Sequence, residues 1–332
     1  MTTEPTTTLR WGILATGGIA RAFTNDLKLN GFTVTAVGSR SEESAAAFAA
    51  EFDIPNAHDS YEALVADPDV DIVYIATPHP MHEANALLAI SAGKHVLIEK
   101  PFTINRGEAQ RIADAAAAAG VLALEAMWTR YLPHMARIRE IIAAGTLGKV
   151  VAVTADHTQK LPDDPGHRIN AIELGGGALL DLGIYPISFA WDVFGKPTTI
   201  SAQATFKDTG ADAHVATIFG YGDDRIATSL SSSITRGTNT AVVHGTDARI
   251  EIDSVWYCPT SFRVIATNGD ALEQFSHDVV GRGMQYQAWA AEALVAAGNL
   301  AGGLLPIAET IEIMGTLDEI RAQIGLKYPS EA

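Results

Sequence analysis

From Leu9 onward the chain alternates short, nearly continuous apolar runs with longer stretches in which apolar positions recur at helical spacing. The runs Leu9–Ala15, Thr33–Val37, Asp71–Ala76, His95–Ile98 and Val121–Glu125 have the pattern of strands buried on both faces of a parallel sheet. Helix signals fill the gaps. Ser41 caps a segment running to Phe52, with Glu42 and Glu43 suiting its N-terminal dipole. Asp59 and Glu62 have capping-box spacing around Tyr61–Ala66, and Asn105 and Glu108 have it ahead of an alanine-rich helix closed by Gly120. His82 starts a further helix that ends at Gly93. This alternation predicts an α/β protein whose residues 9–126 form a doubly wound parallel sheet, preceded by a polar, disordered tail over residues 1–8.

The pattern changes after Ala126. A helix from Pro133 to Gly145 leads into strand-like segments at Val150–Asp156, Thr199–Phe206, His214–Tyr221, Ile226–Ser233, Ala241–His244, Ile250–Asp253 and Phe262–Ala266. The turn Tyr221–Arg225 joins two of them, so at least part of this sheet is antiparallel. Gly283–Ala297 and Pro306–Ile324 read as closing helices. Residues 127–332 are therefore expected to form a second α/β domain with a large, open, mainly antiparallel sheet. One face of such a sheet is covered by helices and the other needs a partner, which predicts a homodimer through the C-terminal sheet.

Composition narrows the function classes. A net charge of −16 and a pI near 4.9 leave no basic surface for nucleic acid. Cys258 is the lone cysteine, which excludes an intrachain disulfide and fits a reducing, cytoplasmic setting. The N-terminal stretch lacks the pattern of a signal peptide, and no apolar run reaches the roughly 20 residues a membrane span needs.

The candidate chemistry sits at predicted strand ends. After the first strand, Ala15, Gly17 and Ala20 occupy the frame of the dinucleotide fingerprint G-x-G-x-x-G/A, with alanine replacing its first glycine. Thr16, Gly17, Gly18 and Ile19 would then cradle a pyrophosphate. The second strand ends in Ser39 and Arg40, where an acid would bind the ribose hydroxyls of NAD. Their hydroxyl and guanidinium suit a 2′-phosphate instead, which favours NADP; NAD or dual use stays open. Tyr74 in the strand at 71–76, and Thr77, His79 and His82 after it, are placed at the cofactor's edge. The two histidines have no third ligand at suitable spacing, so no metal is expected. Glu99 and Lys100 end the strand at 95–98, where ligands bind in open α/β sheets. Further on, Asp181 and Tyr185 stand four residues apart after a Gly175–Gly177 run, sharing a face if that stretch is helical. His157, His167 and Arg168 lie in or beside a polar, proline-rich segment at 159–170 that reads as a loop over the pocket.

These blocks together carry a resemblance. Ala76-Thr-Pro with His82, Ala92-Gly-Lys-His-Val96, Glu99-Lys-Pro101 and Gly175-Gly-Gly-Ala-Leu-Leu-Asp181-Leu-Gly-Ile-Tyr185 resemble the glucose–fructose oxidoreductase/inositol dehydrogenase (Gfo/Idh/MocA) family almost end to end. Glu125-Ala-Met-Trp-Thr-Arg130 and the Arg10-Trp-Gly-Ile start look most like its dimeric dihydrodiol dehydrogenase and NADP-dependent D-xylose dehydrogenase branch. The resemblance implies a Rossmann domain, a dimerising C-terminal domain and oxidation of a sugar or diol hydroxyl. It implies Tyr185 as the proton-transfer residue (a histidine in the inositol dehydrogenase branch), Lys100 as the active-site lysine, Asp181 as the preceding acid and Trp128 as an aromatic wall. Arg130, His157 and Arg168 are the further substrate candidates. His157 stands where the dihydrodiol dehydrogenases usually have phenylalanine, which favours a more polar, sugar-like ligand.

Hydride leaves a carbon only if the hydroxyl proton is removed in step. Tyrosine, at about 10 unperturbed, is a weak base at neutral pH, and a nearby ammonium stabilises its anion. That is the role assigned to Lys100, with Asp181 positioning Lys100 or the substrate. Three readings follow: an NADP-dependent dehydrogenase acting on a D-xylose-like aldose, an anhydrosugar or a trans-dihydrodiol; a redox-neutral lyase or glycosidase using transient oxidation; and a non-enzymatic dinucleotide sensor.

Overall fold

Residues 8–331 are described by the computed structural model. The chain divides into two compact units, the first running to Trp128 and regaining Val279–Ile311, the second comprising Thr129–Asp278 and the stretch from Glu312.

In the first unit, strands and helices alternate as β1 (Arg10–Leu14), α1 (Gly18–Leu29), β2 (Thr33–Gly38), α2 (Glu42–Phe52), β3 (Asn56–His58), α3 (Tyr61–Ala66), β4 (Ile72–Ile75), α4 (His82–Ser91), β5 (His95–Glu99), α5 (Arg106–Ala119) and β6 (Ala123–Ala126). The strands pair in the order β3-β2-β1-β4-β5-β6, all parallel. This is the doubly wound dinucleotide-binding order, and it reverses beside β1, where ligands bind at the carboxyl ends. Ile13, Leu14, Ile72, Val73, Tyr74, Ile75, Val96, Leu97 and Ile98 have no exposed surface, which is why these strands read as unbroken apolar runs. The caps follow local chemistry. Ser41 accepts the Ser44 N–H, and Asn105 accepts that of Glu108 while Glu108 accepts that of Ile104. At α3 the cap is Ser60, which accepts the Ala63 N–H, and not Asp59.

The second unit contains α6 (Pro133–Ala143), β7 (Val150–Thr158), α7 (Ile184–Phe194), β8 (Thr199–Phe206), β9 (Asp212–Tyr221), β10 (Arg225–Ser232), β11 (Ala241–Gly245), β12 (Ala248–Ile252), β13 (Phe262–Ala266) and β14 (Ala271–Phe275). Its eight strands order as β14-β13-β12-β11-β7-β10-β9-β8. Every pairing is antiparallel except β7 with β10, so the sheet is mixed and mainly antiparallel. Helix α7 packs on its central strands β7 and β10.

Two helices close the chain, α8 (Gln285–Ala296) and α9 (Ile307–Ile324). The expected division at 126/127 is incomplete, because residues 279–311 return to the first unit. Buried carboxylates hold them there. Asp26 of α1 accepts the backbone N–H groups of Arg282 and Met284 at 2.9 Å, and Glu292 of α8 accepts the Trp11 indole at 2.9 Å and the Thr8 N–H at 2.6 Å. The expected tail over 1–8 otherwise lies outside the described residues. Among the described residues no helix is long and apolar enough to cross a membrane.

Candidate functional site

The first unit carries a cleft of about 560 Å³ lined by Ala15, Thr16, Gly17, Ser39, Arg40, Ser41, Ser44, Tyr61, Ala76, Pro78 and Met81. The β1–α1 turn forms its floor. Ala15 takes the left-handed conformation (φ 83°) that the fingerprint's first glycine normally supplies, so the turn is kept despite the substitution. Helix α1 starts with no side-chain cap and no acid in its first turn, leaving its N-terminal N–H groups for an anion. A Cβ on Gly17 or Gly18 would meet nothing within 4 Å. That open ground suits the diphosphate of a dinucleotide. At the end of β2, Ser39 and Arg40 face the same cleft, and Arg40 bonds the Tyr61 hydroxyl. Three serines and a guanidinium are fitting company for a further phosphate. Nothing in the sequence marks Tyr61 for this cleft, because the capping pattern of its helix does not say which way the ring faces.

Lys100 is half-buried at the end of β5. Glu99 beside it is buried, and Tyr74 donates to its carboxylate. Thr77 and His79 are also buried, with the Thr77 hydroxyl accepting from Asn85 at 3.1 Å. His82 differs from expectation. Its ring has no exposed surface and sits between backbone carbonyls, Nε2 2.8 Å from Thr77 and Nδ1 3.0 Å from Pro101. Burial lowers its pKa, and the Lys100 charge adds to that effect. His82 therefore ties the β4 and β5 loops together behind Lys100; a cofactor contact does not fit so enclosed a ring.

In the second unit, the expected four-residue pair is helical. A π-helical turn over Leu179–Gly183 runs into α7, placing Asp181 and Tyr185 on consecutive turns. Arg168 reaches back from the loop and grips Asp181 with both terminal nitrogens at 3.2 Å. Tyr185 joins an aromatic cluster: its ring centroid is 4.8 Å from that of His157, edge-on, and 5.4 Å from that of Tyr257. His157 stacks on Tyr257 at 3.7 Å. Gln159 donates to His157 Nε2 at 2.8 Å and approaches the Tyr257 hydroxyl at 3.5 Å. Burial raises the Tyr257 pKa, so that hydroxyl stays protonated.

Tyr257 and Gln159 escaped sequence reasoning. Tyr257 lies in the β12–β13 connection, which has no periodicity to read, yet the segment is anchored from three sides. Thr129 donates to the Tyr257 carbonyl at 2.7 Å, His134 bonds the Trp256 carbonyl at 3.0 Å, and the Trp256 indole donates to the Asp156 carbonyl at 2.7 Å. Arg130, expected at substrate, is buried with its guanidinium on the Ser188 hydroxyl at 2.9 Å and carbonyl at 2.7 Å. It braces α7 from behind, and a substrate contact does not fit. Trp128 is buried at the end of the first unit, while His167 is partly exposed in the loop.

The chain belongs to the GFO/IDH/MocA oxidoreductase family. Residues 9–126 match its NAD-binding Rossmann-fold model and residues 135–251 its C-terminal domain model. Among relatives, the mouse trans-1,2-dihydrobenzene-1,2-diol dehydrogenase is 36% identical over 97% of this chain and 99% of its own length. The NADP-dependent D-xylose 1-dehydrogenase of Hypocrea jecorina is 34% identical over 97% of this chain and 93% of its own. Among solved structures, the 3-ketoreductase KijD10 of Actinomadura kijaniata, in complex with NADP and TDP-benzene, superposes with a TM-score of 0.85 at 25% identity over 95% of this chain and 98% of its own.

Proposed function

We propose that the protein is an NADP-dependent dehydrogenase acting on a hydroxyl-bearing carbon of a sugar or cyclic diol, with Tyr185 as the acid/base. The observation that carries this reading is the π-helical turn running into α7, which sets Asp181, gripped by Arg168, and Tyr185, within its aromatic cluster, on consecutive turns. NADP, when bound, would supply the hydride acceptor for the substrate carbon. Thr16, Gly17, Gly18 and Ile19 would hold its diphosphate, and Ser39 and Arg40 its 2′-phosphate. Tyr185 removes the hydroxyl proton as the carbon is oxidised. The family resemblance assigns Lys100 to stabilising the phenolate, and Asp181, held by Arg168, orients the substrate. His157 is buried with Gln159 on its ring nitrogen, so the half-buried Gln159 amide is the polar group of this wall, which favours a polyhydroxylated ligand over an aromatic diol. The similarity to a D-xylose dehydrogenase and to a dihydrodiol dehydrogenase supports both substrate classes. The test is absorbance at 340 nm with NADP, and separately NAD, across aldoses, anhydrosugars, inositols and trans-dihydrodiols. Reduction with a sugar or diol is expected, and silence throughout despite cofactor binding would overturn the reading.

Coenzyme choice rests on Arg40. Charge-assisted hydrogen bonds contribute about 1.5–3 kcal/mol, so Arg40→Ala should weaken NADP binding by ~10- to 100-fold while NAD binding changes little. Fluorescence titration with both dinucleotides checks this; equal losses for the two would remove the 2′-phosphate role.

The sheet of the second unit also bears on assembly. Ile218, Ile226 and Leu230 are 51%, 45% and 44% exposed on adjacent strands β9 and β10, with Thr228 paired to Ile218 between them. An apolar patch on an open sheet face fits a second copy of the chain, and the protein is read as a homodimer through this face. Ile218→Lys combined with Leu230→Lys should convert the dimer to monomer at micromolar concentration in sedimentation velocity. A wild-type monomer would end this reading.

A further inference from the structure

The helix that carries Asp181 and Tyr185 begins against a buried carboxylate that the mechanism above does not use. Asp212, the first residue of β9, has no exposed surface. Its Oδ2 accepts the backbone N–H of Leu179 at 2.6 Å, and the Ala178 N–H also bonds the carboxylate. These amides stand at the start of the helix, where its own backbone offers no acceptor. Gly177, at φ 133°, lies directly against Oδ1, so that a Cβ there would overlap the oxygen. On the other side of the run, a Cβ on Gly176 would sit 2.7 Å from the carbonyl oxygens of Arg168 and Ala171. The glycines thus let two things close on one backbone: the Asp212 carboxylate, and the segment whose Arg168 holds Asp181.

Capping alone does not require a buried charge, since serine or asparagine caps a helix about as well. Here burial pushes the Asp212 carboxyl up to about 6, against the pull of the N–H groups of Leu179, Asp212 itself and Ala178 and of the Lys207 charge. Lys207 faces it from the β8–β9 connection and bonds Asn170 of the loop. Tyr328 faces it from the C-terminal segment, donating to the Gly176 carbonyl at 3.3 Å. What the site requires is therefore an acceptor of this shape, closed between the Gly177 backbone and the Leu179 and Ala178 amides where the helix begins.

We propose that Asp212 is a positioning residue: its carboxylate clamps the start of the 179–194 helix and so fixes where Asp181 and Tyr185 meet the substrate. The inference rests on the catalytic reading of Tyr185. The test compares kcat, KM and NADP affinity in wild type, Asp212→Ala, Asp212→Asn and Gly177→Ala. A displacement on the order of 1 Å at a reacting group lowers rate by up to ~100-fold, so Asp212→Ala should lose ~10- to 100-fold in kcat with NADP affinity within about twofold. Asp212→Asn, whose amide oxygen still accepts from Leu179, should recover most of that loss. Gly177→Ala, which drives a methyl into the carboxylate, should reproduce it. Wild-type kcat in Asp212→Ala overturns the proposal, as does a fall in NADP affinity that matches the fall in kcat. Should Asp212→Ala not fold, Gly177→Ala and the isosteric Asp212→Asn decide, and wild-type kcat in Gly177→Ala overturns it. Tyr185→Phe measured alongside separates the two claims. If it keeps turnover, the catalytic reading falls; if it loses turnover while Asp212→Ala does not, only the positioning role falls.

Discussion

Tyr185→Phe should lower kcat by ~10²- to 10⁴-fold, the usual range for losing a general acid/base, while NADP binds as in the wild type. The ring is retained, so its edge-on contact with His157 and its approach to Tyr257 survive the substitution. Only the hydroxyl is lost. That separates chemistry from packing, because a tyrosine serving as a buried aromatic would tolerate phenylalanine. The readout is steady-state turnover with the substrate found at 340 nm, beside fluorescence titration of NADP. Turnover within threefold of wild type would remove Tyr185 from the mechanism. A loss confined to KM would make its hydroxyl a binding contact instead.

The parts of this protein that were legible in its sequence are those decided by near neighbours. β1, β4 and β5 announced themselves because they are buried on both faces, and Ser41 and Asn105 because their caps close within one turn. Asp59 and Ser60 show the limit, since both are good cap residues and only the true start of α3 chooses between them. β3, three residues long, and β14, with its half-exposed alternation, fell below what periodicity detects. The site divided the same way. Asp181 and Tyr185 were legible as a spacing on one helix. His82 and Arg130 have side chains that suit ligand binding, but where the ring and guanidinium point depends on Thr77, Pro101 and Ser188, which no spacing rule connects to them. The return of residues 279–311 to the first unit depends on Asp26 and Glu292, whose partners lie more than 250 positions away. Asp212 was unreadable for the same reason: a strand's first residue caps a helix 33 positions earlier.

Lys100→Met should lower kcat by ~10²-fold or more, the scale of removing an electrostatic stabiliser from a reacting group, and should also move the pH dependence of oxidation. Methionine keeps much of the stem and removes the charge. A lysine half-buried at the end of β5 is costly to desolvate, and its charge already reaches the enclosed His82 ring. If that ammonium stabilises the phenolate of Tyr185, oxidation in its absence begins only at higher pH, because an unassisted phenol ionises later. The sign follows from charge alone: removing a cation disfavours the anion beside it. A lysine that only shaped the loop would lower the rate and leave the pH profile in place. Oxidation rates from pH 6 to 10, with Lys100→Arg as the charge-preserving control, distinguish these outcomes. An unshifted profile in Lys100→Met would leave Tyr185 without its partner and return the lysine to cofactor binding.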